Sequence, residues 1–276
     1  MPLVSLPTGI EIFYRVEGTG EPVLLIMGTA ADHTPWVRQV EDYRDHFTVI
    51  TYDHRGTGRS THPPDPRSYS MRVLADDAAA LLDHLDLGPA HVSGLSLGSA
   101  TAQELAINHP DNVKSLQLHC TWGYSDEWFC RMIDSMEFMV ANDDFAAYIR
   151  CALMWVASPD FINNRPDNVK AFETGFILEN PHPPSKEGIM GHFWADKTHD
   201  TLDRLGRITV PTLITSGEMD HQVPTRYGRQ VHRRIPHSEL HVFEGPRSSH
   251  IAFHEMPEEW NAFTLEWMRG HTGRTE

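Results

Sequence analysis

The chain has 276 residues, 40% of them hydrophobic and 22% charged, which is ordinary globular usage and excludes a mostly disordered chain, a collagen and a coiled coil. That length suits one large domain or two small ones and can bury a substantial core without staples. Lys plus Arg total 23 against 38 for Asp plus Glu, a formal net charge of −15, so the chain repels phosphate backbones and anionic lipid surfaces; neither nucleic acid nor a membrane is an expected partner.

The first half alternates strand-like and helix-like segments. Ile10–Tyr14 reads as a strand followed by a turn at Gly18, Gly20 and Pro22. Val23–Met27 and Phe47–Tyr52 are short apolar, β-branched or aromatic runs of the kind buried on both faces of a parallel sheet. Trp36–Tyr43 reads as a short helix, and residues 55–60 with Pro63-Pro64 as a turn-rich loop. In Ser70–Leu85 the residues Leu74, Ala78, Leu81, Leu82 and Leu85 recur at helical spacing, and Gly88-Pro89 ends the helix. His91–Ser93 is a strand, Gly94–Gly98 a turn, Ser99–Asn108 a helix stopped by Pro110, and Val113–Leu118 a further strand. This alternation predicts an α/β fold, a mostly parallel sheet with helices on both faces.

From Trp122 to His199 no buried strand is predicted; aromatic and Met residues lie on helix-like stretches broken by Pro181, Pro183 and Pro184. The strand pattern resumes at Pro211–Thr215 and Leu240–Phe243, and Trp260–Met268 closes as a helix. Residues 122–200 therefore read as a helical cap inserted into one core domain, 1–121 with 201–276.

Gly94-Leu95-Ser96-Leu97-Gly98 is G-x-S-x-G between a predicted strand and a predicted helix, the context of a nucleophile elbow. The turn is so tight that the positions two before and two after the serine must be small. The following helix aims its N-terminal dipole at a developing anion. A serine hydroxyl needs a base, and the base an orienting carboxylate, in the chain order Ser, acid, His. Asp220 and Glu218 both follow the strand ending at Thr215. His250 follows the strand ending at Phe243; His221 and His254 are its competitors, and His254 falls one turn into the next helix, where a structural histidine is the simpler reading. An oxyanion hole needs two backbone N–H donors. Leu97 N–H is the first, and the loop Met27–Asp32 offers the second, Thr29 ahead of Ala30.

Through these residues the chain resembles the α/β-hydrolase superfamily over nearly its whole length outside the cap. The resemblance rests on Gly28, Tyr52–Ser60, Gly94–Gly98, Asp220 with Pro224, and Ser249-His250 with Glu255 and Pro257. It favours Asp220 over Glu218 through Val223-Pro224, and it implies that Asp53–Ser60 is a structural loop in which Arg55 and Ser60 have no catalytic part. Within the superfamily the chain is most similar to the 3-oxoadipate enol-lactonase and small carboxylesterase branch, through Ser93–Gly98 and Leu202–Ile208. It departs from that branch at Met27-Gly28, at Ser249-His250 and in the cap. A serine at the elbow, rather than the aspartate of haloalkane dehalogenases and epoxide hydrolases, implies acyl chemistry.

The expected function is therefore hydrolysis of a moderately apolar ester or lactone by Ser96, Asp220 and His250, with Leu97 and Thr29 N–H holding the oxyanion. C–C bond hydrolysis of a ring-cleavage diketone, thioester or amide hydrolysis, perhydrolysis, and ligand reception without turnover are the alternatives. Trp128, Met132 and Trp155 are the expected pocket liners. The 18 histidines fall into no metal-binding spacing, and no metal or cofactor is expected. Cys120, Cys130 and Cys151 form no CxxC, residues 1–5 carry no signal-peptide pattern, and Val23–Met27 is too short to span a bilayer. A cytoplasmic monomer or homodimer acting on a small molecule is the resulting expectation.

Overall fold

The computed structural model describes residues 2–177 and 179–273. Eight strands form one sheet: β1 (Leu3–Ser5), β2 (Glu11–Glu17), β3 (Pro22–Ile26), β4 (Thr48–Tyr52), β5 (Ala90–Leu95), β6 (Val113–His119), β7 (Thr212–Gly217) and β8 (Glu239–Phe243). Their order is β1-β2-β4-β3-β5-β6-β7-β8. β1 and β2 pair antiparallel to their neighbours, and every pairing from β4 to β8 is parallel. The α/β expectation holds.

The sheet is buried on both faces, with the period of two that a strand dictates. Val23, Leu25 and Val49 join one apolar cluster; Leu24, Ile26 and Ile50 join the other. α1 (Val37–Tyr43) and the C-terminal α10 (Ala252–Glu255) and α11 (Pro257–Arg269) contribute to the first. α2 (Met71–Leu85), α3 (Leu97–Asn108) and α9 (Thr225–His232) feed the second through Ala75, Ala78, Leu81, Ala102, Leu105 and Val231.

Among the described residues, five α-helices lie between β6 and β7: α4 (Glu127–Ala141), α5 (Phe145–Val156), α6 (Pro159–Asn164), α7 (Pro166–Gly175) and α8 (Lys186–Thr198). Asp126, Asp144, Ser158 and Ser185 cap four of them by accepting from a backbone N–H three residues on. The two stems of this insertion meet where Ser125 N–H donates to His199 O and Thr201 N–H to Gly123 O. Gln103 of α3 reaches both stems, donating to Trp122 O and accepting from the Thr201 hydroxyl.

Three details differ from the sequence expectation. The helix after the elbow starts at Leu97 rather than Ser99, because the serine itself ends the strand turn. β1 is only three residues long and α9 only eight, too short for a periodic pattern to stand out. None of the described helices is long and apolar enough to cross a membrane.

Candidate active site

The chain passes from β3 outward to β4 and returns to β5 on the other side of β3, so a crevice opens at the carboxyl ends of β3 and β5. Ser96 stands there, between β5 and α3. Its backbone has φ 56° and ψ −123°, a region that L residues seldom occupy. The turn is held on both sides: Ser96 N–H donates to His119 O at 2.9 Å, and Ser96 O accepts from Ser99 N at 2.7 Å. The two glycines are sterically obligatory. A Cβ on Gly94 would lie 2.2 Å from Gly98 O, and one on Gly98 would lie 2.1 Å from Ile26 O. Leu97 is the first residue of α3, so its N–H belongs to the first turn that no intrahelical carbonyl can satisfy.

β7 and β8 bring in the other two groups. Asp220 is buried; its Oδ1 accepts from Gln222 N at 3.0 Å and Val223 N at 2.8 Å, and its Oδ2 meets His250 Nδ1 at 2.9 Å. Two backbone donors fix the carboxylate, which in turn fixes the imidazole. Glu218 is exposed and accepts from Gly245 N instead, and His221 is exposed. His254 sits at the cavity edge with its ring stacked on Phe253.

Ser96, His250, Gly28 and Thr29 all line one cavity of about 370 Å³. The loop after β3 passes directly beside the nucleophile: a Cβ on Gly28 would be 3.3 Å from Ser96 Cβ. The Thr29 hydroxyl donates to Asp196 Oδ2 at 2.8 Å. Burial pushes the Asp196 carboxyl up to about 7, against the lowering effect of that hydrogen bond.

The rest of the cavity is mostly apolar. Ile133 and Met136 of α4, Ile149, Ala152 and Val156 of α5, and Phe172 of α7 line it, with Thr34, Tyr148, Asn168, Gln222 and His254 as uncharged polar members. Among the described residues, none that lines the cavity is Lys, Arg, Asp or Glu. The pocket expectation is corrected here, since Trp128, Met132 and Trp155 are not among the lining residues. Met132 is buried on the core-facing side of α4. Trp128 is 40% exposed, edge-on to Trp155 at 5.9 Å, with the Arg226 guanidinium 4.9 Å from its ring. The insertion carries apolar residues around most of its helical surface, so composition alone could not say which stripe faces the cavity. Tyr148 of α5 was missed for the same reason, whereas Gln222 lies in the loop after β7, two residues beyond Asp220.

Among the described residues two groups bring three metal-type donors within 4.8 Å: Cys120, Asp220 and His250, and Asp32, His33 and Asp53. In the first, both Asp220 oxygens are taken by protein donors, and burial beside Asp220 pushes the Cys120 thiol well up. In the second, Asp53 accepts from His33 N, His33 Nδ1 and Arg59 N, and Asp32 from Thr34 and Asn180. These contacts account for the carboxylates as structural acceptors. The Asp53–Ser60 loop is structural in the same sense: Arg55 makes a buried two-bond pair with Asp77, and Ser60 links Asp53 O to Phe13 N.

Comparison with known proteins agrees with this architecture. The profile of the alpha/beta hydrolase fold family matches residues 21–257. A protein named "Putative carbamate hydrolase RutD" from Azorhizobium caulinodans is 28% identical over 230 residues, 83% of this chain and 85% of the relative. Its namesake from Caulobacter sp. strain K31 is 28% identical over 251 residues, 91% of each chain. Among solved structures, a thermophilic esterase from Thermogutta terrifontis superposes with a TM-score of 0.86 at 26% identity over 98% of each chain. An enol-lactonase from Burkholderia xenovorans LB400 gives 0.85 at 24% identity, covering 97% of this chain and 100% of that one, a likeness of fold. With an elbow serine at the sheet's switch point and a family profile spanning most of its length, the chain belongs to the α/β-hydrolase fold family.

Proposed function

We propose that this hydrolase cleaves an uncharged, apolar carboxylic ester or lactone through an acyl-enzyme on Ser96. Ser96 Oγ attacks the carbonyl and His250 takes its proton, then returns it to the leaving alkoxide. Asp220 keeps the His250 proton on Nδ1 and stabilises the imidazolium. Leu97 and Thr29 N–H receive the oxyanion, and a water activated by His250 releases the acid. Residues 122–200 act as the cap over a core of 1–121 and 201–276.

The observation that carries this reading is the shared cavity: Ser96, His250 and the Gly28–Thr29 loop open onto it, with Asp220 locked behind the imidazole. A lining without a charged side chain favours a neutral acyl group, because a carboxylate there would lose its water without gaining a partner. Arg38, Arg165 and Arg247 line an adjoining crevice instead, where Arg38 faces Glu258 and Arg247 donates to Glu255 O. The RutD resemblance supports a second reading, a carbamate carbonyl attacked by the same serine.

Fluorophosphonate labelling followed by peptide mass spectrometry tests the nucleophile, and p-nitrophenyl butyrate, a phenyl carbamate and a carboxylate-bearing aryl ester test the substrate. Label on Ser96, lost in Ser96→Ala and His250→Ala, and preference for the butyrate are expected. Preference for the carbamate establishes the second reading. Stoichiometric binding without label or turnover would mean a receptor, and an unlabelled Ser96 overturns the acyl-enzyme.

A further inference from the structure

The loop that brings Thr29 to the cavity is gripped from the insertion. Its polar atoms have these partners. Met27 O accepts from His54 Nε2 at 3.0 Å. Thr29 Oγ1 donates to Asp196 Oδ2 at 2.8 Å, and Ala30 N donates to His192 Nδ1 at 2.9 Å. Ala30 itself is left-handed, at φ 60°, a conformation that persists only where surrounding contacts over-determine it.

His192 and Asp196 are four residues apart and both buried on α8, so one helical face presents both acceptors. The far side of His192 is also occupied: Nε2 lies 3.0 Å from Arg55 O. Since Nδ1 must be bare to accept from Ala30, the proton sits on Nε2 and donates to Arg55 O. One neutral tautomer thus bridges two core loops. Arg55 is itself anchored by Asp77 at 2.6 and 2.7 Å. Asp196 is held through its carbonyl, which accepts from Ser125 Oγ at 2.6 Å. Among the described residues, buried Asp196 Oδ1 has no hydrogen-bond partner. That unmet oxygen leaves Thr29 as the hydrogen-bond partner of the Asp196 carboxyl.

We propose that His192 and Asp196 of α8 are positioning residues of the oxyanion loop, aiming the Thr29 N–H at the substrate carbonyl, so that the insertion takes part in transition-state binding and not only in enclosing the substrate. The proposal rests on the acyl-enzyme reading above. Its logic is geometric: an oxyanion donor acts only where the charge develops, and a displacement of about 1 Å costs on the order of a hundredfold. Without the α8 acceptors the Thr29–Ala30 segment keeps its sequence but loses two of the contacts that define its direction.

The test uses steady-state hydrolysis of p-nitrophenyl butyrate by the full chain, with thermal unfolding of each variant alongside. Asp196→Leu and His192→Phe remove the acceptors; Thr29→Val removes the hydroxyl from the loop side with almost no change in volume. Each is expected to lower kcat about tenfold to a hundredfold with KM within about threefold of the parent, since the contact matters in the transition state. Asp196→Asn still offers an oxygen to Thr29 and is expected to keep kcat within about threefold. Thr29→Val that retains kcat within about twofold overturns the proposal, even if the two α8 variants unfold. So does Asp196→Asn as impaired as Asp196→Leu. If the parent protein hydrolyses no ester and Ser96 takes no label, the acyl-enzyme reading fails and this proposal with it. An active parent with unimpaired variants removes the positioning role alone.

Discussion

Ser96 sits at φ 56° and ψ −123°, a conformation that costs a non-glycine residue about 1–3 kcal/mol and needs rigid surroundings to persist. Gly98 shows how rigid they are. The atom its missing Cβ would strike is Ile26 O, a backbone carbonyl of a fully buried strand, and a backbone atom cannot swing aside as a side chain could. Gly98→Ala should therefore push β3 and α3 apart, lowering stability by about 2–4 kcal/mol and abolishing fluorophosphonate labelling. Urea unfolding and the labelling assay check both. An alanine variant with the parent's midpoint and label would contradict the close approach. The spacing of small residues around Ser96 made this constraint legible in advance. The direction of the Thr29 side chain was not, because its partner Asp196 lies 167 residues away.

At the scale of elements, legibility followed burial. β3 and β5 are buried at every position, so β3 is an unbroken apolar run and β5 is apolar or small apart from His91, and both stand out. α8 did not declare its part. Ile189, Phe193 and Ala195 join the first apolar cluster, but Gly188, Gly191, His192 and Asp196 are buried on the same helix, and no spacing marks His192 and Asp196 as the partners of a loop 162 to 167 residues earlier. The α4 and α5 helices failed in the opposite way, with apolar residues in excess of the cavity-facing stripe. The α6 end of the insertion has a comparable polar joint. Glu255, fully buried, accepts from Ser158 N at 2.8 Å, Ser158 Oγ at 2.5 Å and Ser249 Oγ at 2.7 Å, tying the start of α6 to the residue before His250. Glu255→Leu strands three donors and should cost about 3 kcal/mol in urea unfolding, whereas Glu255→Gln, which keeps one acceptor oxygen, should cost less than half of that. Equal losses for the two variants would show that volume, not hydrogen bonding, sets the contribution of this position.

For the whole molecule, the decisive titrations are those of buried histidines. His54, His119, His192 and His199 are fully or almost fully buried, and desolvation lowers them to about 4, 3, 3 and 4. In the unfolded chain each returns to the ordinary value near 6.5. Between that value and the folded one the unfolded state binds the extra proton, so stability falls as pH drops through this window. At pH 5 each histidine removes about 2 kcal/mol relative to neutral pH. Asp196 acts in the opposite sense. Its folded value of about 7 lies above the unfolded one, so the folded state holds a proton that the unfolded chain has released, and acidification from pH 7 to 5 strengthens folding by roughly one histidine's worth. For these five groups together the expectation is a loss of about 6 kcal/mol between pH 7 and 5, with about three protons taken up on unfolding at the lower pH. A folded domain holds only about 5–15 kcal/mol, so the protein should be close to acid unfolding at pH 5, well above the range where its surface carboxylates protonate. Urea midpoints measured at half-unit intervals from pH 7.5 to 4.5 read this slope directly. A flat profile down to pH 5 would mean that the four imidazoles stay solvated enough to charge in place, and with that the neutral bridge from Ala30 through His192 to Arg55 would lose its physical basis.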